Sequence, residues 1–137
     1  MFLNFKENVM IVKCNKVISP VTKEDLGDKS PWLMKGNEYV ILALDWSSKG
    51  GIEAYIQTEH YKEPRFISLN GFEFISRTIP STWITKIQEL GDEKIVTMLP
   101  VSWSHGGFFE DMENQDLKTI ELFNKEVEQM YREEGML

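Results

Sequence analysis

The sequence predicts an α+β protein in which a strongly curved antiparallel sheet or barrel of five to seven strands is capped by a C-terminal amphipathic helix. Two observations carry this prediction. Residues 35–83 form a nearly unbroken series of short β-prone runs separated by glycine, asparagine and proline turns. Residues 115–134 repeat apolar side chains at three- and four-residue steps, which is typical of a helix with one buried face.

The first third of the chain predicts two strands joined by a long loop. Residues 8–14 are apolar and β-prone, which indicates a strand. Residues 15–37 carry two prolines, two glycines and many charges, and they predict a loop with one helical turn near Thr22–Leu26, capped by Thr22. Residues 38–46 place Tyr, Val, Ile and Leu in sequence, so we expect a central strand with much of both faces covered.

Further strands are predicted after the glycine pair at 50–51. They span residues 52–58, 65–69, 72–76, 82–87 and 94–99. Asn70-Gly71 predicts a two-residue hairpin between two of them, because both residues tolerate the positive φ angles of a type I′ turn. Alternation in the strand that follows places Phe72, Phe74 and Ser76 on one face.

Two helices complete the chain. A short helix is predicted at 108–114, with acidic residues near its start, where the helix dipole favours them. In the long helix at 115–134, Glu121 and Lys125 are spaced for a side-chain pair. Its apolar stripe, which we expect to lie on the open side of the sheet, consists of Leu117, Ile120, Phe123, Val127, Met130 and Tyr131.

Length and composition predict one domain over residues 1–137, β-rich at 8–99 and helical at 108–134. Hydrophobic residues make up 42% of the chain, enough for a packed core. No apolar run approaches the roughly 18 residues that span a bilayer, and the N-terminus lacks a signal-peptide pattern. The single cysteine, Cys14, excludes an internal disulfide. We therefore expect a cytoplasmic protein that does not bind a membrane.

The negative charge is concentrated in the last quarter of the chain. The net charge is -7, but residues 1–106 hold 13 acids and 12 bases, whereas residues 107–137 hold 9 acids and 3 bases. This distribution argues against nucleic-acid binding, which needs a basic surface. It favours a basic protein partner, since complementary fields speed encounter. The alternative interpretation is a solvated acidic helix.

No pattern in the sequence predicts a catalytic, metal or cofactor site. His60 and His105 lie in separate predicted loops, and neither has the spacing to other ligands that zinc needs. Cys14 sits in a strand pattern that indicates a buried thiol. We expect a protein that is not an enzyme. The remaining enzymatic hypothesis requires His60 or His105 to lie beside a carboxylate or Cys14.

Aromatic residues offer two further hypotheses. Residues 103–109 combine aromatics, a histidine and paired glycines, which indicates either a recognition loop or a loop packed against the final helix, and packing is the commoner role. Trp46, Tyr55, Tyr61 and Trp83 could form a surface that binds a small ligand or a peptide. An exposed cluster of these four side chains would support that hypothesis, and burial of all four would contradict it.

Residues 33–131 contain a pattern of turn glycines, core aromatics and an acidic helical end, at Gly36, Tyr39, Gly50, Gly51, Tyr55, Ile56, Phe72, Glu73, Phe74, Pro80, Trp83, Phe108, Phe109, Glu110, Asp111 and the run from Leu117 to Tyr131. In this pattern the chain resembles small bacterial immunity proteins of toxin–immunity systems. The resemblance implies an SH3-like β-barrel followed by an acidic C-terminal helix. It also implies a protective protein that binds one toxin domain and blocks it. No catalytic residues come with the resemblance.

The resemblance and the charge distribution together predict a partner-binding surface. Its residues are Glu110, Asp111, Glu113, Asp116 and Glu121. We expect this acidic face to meet a basic toxin surface, for example the substrate groove of a nuclease. The alternative function is a small-ligand or peptide-binding module that uses the aromatic surface of the barrel.

Overall fold

The computed structural model describes residues 9–17, 33–57 and 64–133. The expected helical turn at Thr22–Leu26, together with His60 and Tyr61, lies outside these ranges. The strands are β1 (Met10–Cys14), β2 (Glu38–Val40), β3 (Ala43–Ser47), β4 (Gly51–Ile56), β5 (Arg65–Ser68), β6 (Phe72–Arg77), β7 (Trp83–Leu90) and β8 (Glu93–Pro100). A 3-10 turn at Val101–Trp103 leads to helices α1 (Phe108–Glu113) and α2 (Leu117–Glu133).

The strands form two antiparallel sheets. The larger sheet has the order β5-β4-β3-β8-β7, and the smaller one has the order β2-β1-β6. This arrangement confirms the α+β class and the long C-terminal helix. The sheets do not close into a barrel: within the described ranges, the end strands of each sheet pair on one side only. The described strands number eight rather than five to seven.

The predicted strand at 38–46 is divided between the two sheets. Ile41 donates its backbone N–H to Met10 O in β1 at 2.8 Å, whereas Leu42 donates to Tyr55 O in β4 at 2.9 Å. Consecutive residues therefore bond to different sheets, and β2 and β3 are separate strands. Ile41 and Leu42 are 0% and 1% exposed, so the apolar run is the point where the sheets meet.

The Asn70-Gly71 signal identifies a turn, but the prediction of a hairpin is wrong. Gly71 has a φ of 85°, and Phe72 donates its N–H to Leu69 O at 3.1 Å, as a tight turn requires. However, β5 pairs with β4 in the larger sheet, whereas β6 pairs with β1 in the smaller sheet. The predicted faces of β6 are confirmed, because Ser76 is buried and the alternate residues of the strand are exposed.

The longest pairing in the molecule is the β7–β8 hairpin. Its register runs from Trp83 opposite Pro100 to Leu90 opposite Glu93, without a bulge. Gly91, the first residue of the two-residue turn, has a φ of 64°, as in type II′ turns. Both strands are longer than the predicted 82–87 and 94–99, because the polar residues beside the turn continue the pairing.

The C-terminal helices cover one face of the larger sheet. The Tyr55 ring on β4 lies 4.8 Å from the Phe109 ring on α1 and 6.4 Å from the Phe123 ring on α2. Phe66 on β5 contacts Phe109 at 4.9 Å. These edge-on contacts between strand and helix aromatics hold the helices against the sheet.

The buried face of α2 differs from the predicted stripe. Phe123 and Met130 are buried as expected, but Leu117, the first residue of the helix, is 77% exposed. Thr119 and Glu126 occupy the buried face instead, at 5% and 8% exposure. Ile120 and Val127 of the predicted stripe are partly buried and pack against the core, and the side chain of Tyr131 lies outside the described part. The centre of the buried face follows the three- and four-residue steps that link Thr119, Phe123, Glu126 and Met130. Polar side chains at two of its positions concealed it from the sequence pattern.

Candidate functional site

Helix α1 displays two of the predicted partner-binding acids on its outer side. Phe108 and Met112 are 1% and 6% exposed and anchor the helix. Glu110 and Glu113 are exposed. They lie three residues apart and are therefore neighbours on the helix surface. Because Phe108 and Met112 face the core, Glu110 and Glu113 lie on the opposite, solvent-facing side of the helix.

Asp111 and Asp116 are linked through the backbone at the junction of the two helices. Asp111 is half-buried in the first turn of α1, where the helix dipole favours a carboxylate. Its carbonyl oxygen accepts the N–H of Asp116 at 3.0 Å. The two acids therefore lie close together, although Asp111 is less accessible than Glu110.

Asp116 caps the N-terminus of α2. In the sequence, Asp116 was identified only as a partner-binding residue, and this structural role was not predicted. Its Oδ2 accepts the Thr119 hydroxyl at 2.7 Å and the Thr119 backbone N–H at 3.1 Å. The hydrogen bond from the Thr119 hydroxyl is the main reason that the pKa of Asp116 lies below its usual value of 3.8, and the backbone hydrogen bond lowers it further. The spacing of an aspartate three residues before a threonine at the helix start is a signal that could have revealed the cap.

Glu121 stands apart from the other four acids. It is exposed on α2, and no hydrogen bond joins it to them in the part of the chain that the structure describes. The expected pair between Glu121 and Lys125 does not form an ion pair there. We call the segment that carries Glu110, Asp111, Glu113, Asp116 and Glu121 the acidic ridge. None of the five acids forms an ion pair among the described residues, although Lys118 attracts Asp116 at longer range.

Two recesses flank α1. The first has a volume of about 440 Å³ and lies between α1 and strands β4 and β5. Its lining residues are Tyr55, Pro64, Arg65, Phe66, Phe109, Met112 and Glu113. The second has a volume of about 180 Å³, and its lining residues are Lys86, Gln88, Thr97, Leu99, Trp103, His105, Gly107, Phe108, Phe109 and Glu110. Phe109 lines both recesses, so α1 forms a wall between them with one glutamate on each side.

The smaller recess contains the histidine that the enzymatic hypothesis required. His105 is exposed, and its ring lies edge-on to Phe108 at 5.7 Å. His105 and Glu110 line the same recess, but no hydrogen bond joins them among the described residues. Cys14 does not line this recess; it lies in β1, and its Sγ is 3.5 Å from Lys16 O. The recess therefore holds a histidine and a carboxylate that are not hydrogen-bonded to each other.

The aromatics of residues 103–109 pack rather than project. Trp103 stacks on Phe108 at 5.0 Å and on Phe123 at 5.2 Å. Trp103 and Phe108 are each 1% exposed, which confirms the packing interpretation for both. The indole Nε1 of Trp103 is buried without a hydrogen-bond partner.

A buried carboxylate links α2 to the 3-10 turn, and the sequence did not reveal it. Ser102 donates its hydroxyl to Glu126 Oε1 at 3.1 Å. Glu126 was counted among the excess acids of the last quarter, but it is only 8% exposed. It therefore contributes to helix placement rather than to a contact surface.

The aromatic surface expected for a ligand-binding module is not formed by the described residues. Tyr55 and Trp83 are 4% and 8% exposed, whereas Trp46 is 41% exposed and stands alone. The fourth member, Tyr61, lies outside the described ranges. The hypothesis therefore loses its cluster, although burial of all four is not shown.

We also searched for metal-binding clusters, for membrane-spanning helices and for similar proteins. Among the described residues, no three His, Cys, Asp or Glu side chains lie close enough to hold a metal ion. The helices there are too short or too polar to cross a membrane. No family model, no curated protein and no solved structure matches this chain. The likeness to immunity proteins thus rests on the sequence pattern alone.

Proposed function

We propose that this protein binds a basic toxin domain through the acidic ridge and blocks it, in the manner of an immunity protein. The observation that supports the proposal is the concentration of uncompensated acids on one segment. Glu110, Glu113 and Glu121 are exposed and have no ion pair in the described part of the chain. Charges left free of local partners act on an approaching molecule at full strength.

The two acids with structural surroundings still add to this field. The hydrogen bonds from Thr119 favour the ionised form of Asp116, because they hold its pKa below 3.8. Asp111 is only half-buried, so water still reaches its carboxylate. The segment of 12 residues from Glu110 to Glu121 therefore holds five acids and one base, Lys118.

The first recess supplies the apolar contact that a tight complex needs. Phe66 and Phe109 line it, and Glu113 stands at its side. Interfaces depend on a few buried anchors surrounded by polar residues, so an apolar side chain of the toxin would enter this recess. A basic residue beside that side chain would then meet Glu113. Charge would guide the encounter, and the recess would fix the final position.

A survival experiment tests the proposal. The product of the gene immediately upstream, as the candidate toxin, is expressed from an inducible promoter, together with the wild-type protein or a variant. Glu110→Lys combined with Glu113→Lys should abolish protection, because the toxin would meet two positive charges. The matched control, Glu73→Lys, reverses an exposed charge on the smaller sheet and should protect as well as the wild type.

Circular dichroism must first show that the double variant folds as the wild type does, which we expect because both glutamates are exposed. Full protection by the folded double variant would remove the acidic ridge from the mechanism. Failure of the wild type to protect would reject the immunity function itself.

A small ligand is the second candidate occupant of the first recess. Its volume of about 440 Å³ falls within the range of about 300–1,000 Å³ typical of ligand pockets, and aromatic rings line it. A thermal-shift screen of small molecules tests this candidate. A hit that Phe66→Ala abolishes would favour it, and a screen without hits would leave the protein partner as the occupant.

A further inference from the structure

Strand β7 is one of the two edges of the larger sheet. It pairs with β8 along one side over its full length, and no described strand pairs with its other side. An edge of this kind presents unpaired backbone N–H and C=O groups, which can bond to a strand of another molecule.

The backbone register identifies the groups that face outward. Val101 donates its N–H to Thr82 O at 2.8 Å, so alternate residues from Thr82 onward direct their backbone groups toward β8. Consistently, Trp83 donates its N–H to Pro80 O at 3.1 Å and not to β8. Thr85, Ile87 and Glu89 therefore direct their N–H and C=O groups to the free side.

Proline and a β-bulge, two common protections of an edge strand, are missing from β7, which carries two charged residues, Lys86 and Glu89. The ammonium of Lys86 is bonded to Ser104 O at 2.8 Å. Ile84, Ile87 and Leu90 are 38%, 71% and 61% exposed. The edge thus combines free backbone groups with uncovered apolar side chains.

We propose that β7 pairs antiparallel with β7 of a second copy of this chain, about a two-fold axis at Ile87. The facing pairs would then be Ile87 with Ile87, Thr85 with Glu89, Ile84 with Leu90, and Lys86 with Gln88. The pairs of outward-facing residues exchange about six backbone hydrogen bonds. Every exposed apolar side chain of the strand faces another apolar side chain, and no like charges face each other.

Neighbouring registers lack this self-complementarity. A two-fold axis at Lys86 would set two lysines directly opposite each other, which is unfavourable. An axis at Gln88 would set Ile87 opposite Glu89 and Lys86 opposite Leu90. A sequence that matches itself in one register only points to a second copy as the occupant of the edge.

The interface is small, and this sets the expected affinity. A single strand pair buries less than the roughly 800 Å² per partner of a standard stable complex. We therefore expect a dimer that forms in the micromolar range and dissociates on dilution.

Sedimentation velocity of the full-length chain over a concentration series tests the proposal. The wild type should shift from monomer to dimer as concentration rises, and Ile87→Lys should remain monomeric, since it sets two lysines face to face. Leu117→Lys is the matched control, because it places a lysine at a comparably exposed apolar position on α2. It should dimerise like the wild type. A monomeric wild type at every concentration, or a dimeric Ile87→Lys variant, would overturn the proposal.

Disulfide cross-linking tests the register. In an antiparallel pair of this type, the Cα atoms of the two copies of residue 87 lie about 5.5 Å apart, within disulfide reach. Ile87→Cys should cross-link rapidly under mild oxidation, whereas Thr85→Cys, which faces Glu89, should not. Cys14 is buried and should not interfere. Equal cross-linking of the two variants would reject the axis at Ile87.

Discussion

The acidic ridge and the β7 edge are both exposed, yet they differ in nearly every physical property. The ridge is helical and charged, with five acids that form no ion pair among the described residues. The edge is extended and carries exposed Ile84, Ile87 and Leu90. A charged surface acts at a distance and selects an oppositely charged partner, whereas a free strand edge acts only at contact. One chain can therefore use two independent modes of association, and they should respond differently to mutation, pH and salt.

The two regions should differ most in how much a side-chain truncation lowers the free energy of unfolding. Phe108→Ala should lower the free energy of unfolding by about 3–5 kcal/mol, because it removes a buried ring that stacks on Trp103. Ile87→Ala should change it by less than about 0.5 kcal/mol, because that side chain is 71% exposed. Urea denaturation of both variants at a concentration where the protein is monomeric measures the difference. Similar losses would show that the β7 edge is part of the core.

The next largest loss of stability should come from breaking the hydrogen bond that attaches α2 to the 3-10 turn. Ser102→Ala should lower the free energy of unfolding by about 1–3 kcal/mol, because it leaves the buried Glu126 carboxylate without its hydroxyl donor. Ser104→Ala removes an exposed hydroxyl bond to Val101 O and should cost less than about 0.5 kcal/mol. Thermal unfolding of the pair of variants provides the measurement. Equal effects would mean that water replaces the Ser102 hydroxyl.

The Asp116 cap makes part of the ridge sensitive to acid. The pKa of Asp116 is lowered in the folded protein, so its stabilising contribution is present above the ordinary value of 3.8 and is lost as pH falls through the lower, folded value. Asp116→Ala should therefore be less stable than the wild type at neutral pH, and the difference should shrink in strong acid. Asp116→Asn keeps a capping oxygen and should remain close to the wild type at neutral pH. A difference for Asp116→Ala that is constant with pH would contradict the assigned cause.

Added salt should have the smallest effect on the two surfaces, but it should weaken binding at one and strengthen it at the other. Added salt should slow toxin binding through the ridge, because it screens the attraction between opposite charges. The β7 dimer brings together two copies that each carry a net charge of -7, so salt should tighten it by about threefold or less. Sedimentation at low and high ionic strength measures the dimer. A dimer that weakens with salt would indicate an interface built on ion pairs rather than on the strand edge.

The sequence was sufficient to predict the strands and helices as local units, because alternation, turn glycines and helical periodicity are local signals. It was insufficient to predict their partners. The run at 38–46 reads as one strand, and only the alternate bonding of Ile41 and Leu42 to different sheets divides it. Asn70-Gly71 likewise marks a turn, but the pairing of the flanking strands depends on residues far away in the chain.

The surface position of the proposed binding residues could be predicted in part. The acids of α1 were identified from charge counting, and Glu110 and Glu113 are indeed exposed neighbours. The same counting could not distinguish the free Glu121 from the buried Glu126, since burial depends on the angle at which α2 meets the sheet. The capping role of Asp116 was readable from local spacing. The recesses on either side of α1 could not be predicted from the sequence, because they form only when the helix lies against the strands.

The most direct test of the central proposal is the association rate constant with the toxin domain, measured by stopped flow over a range of ionic strength. We expect the wild type and Glu73→Lys to associate rapidly at low salt and to slow steeply as salt is added. The Glu110→Lys and Glu113→Lys double variant should associate at least roughly tenfold more slowly at low salt and should depend weakly on salt. Identical rates and identical salt dependence in all three proteins would contradict the assignment of binding to the acidic ridge.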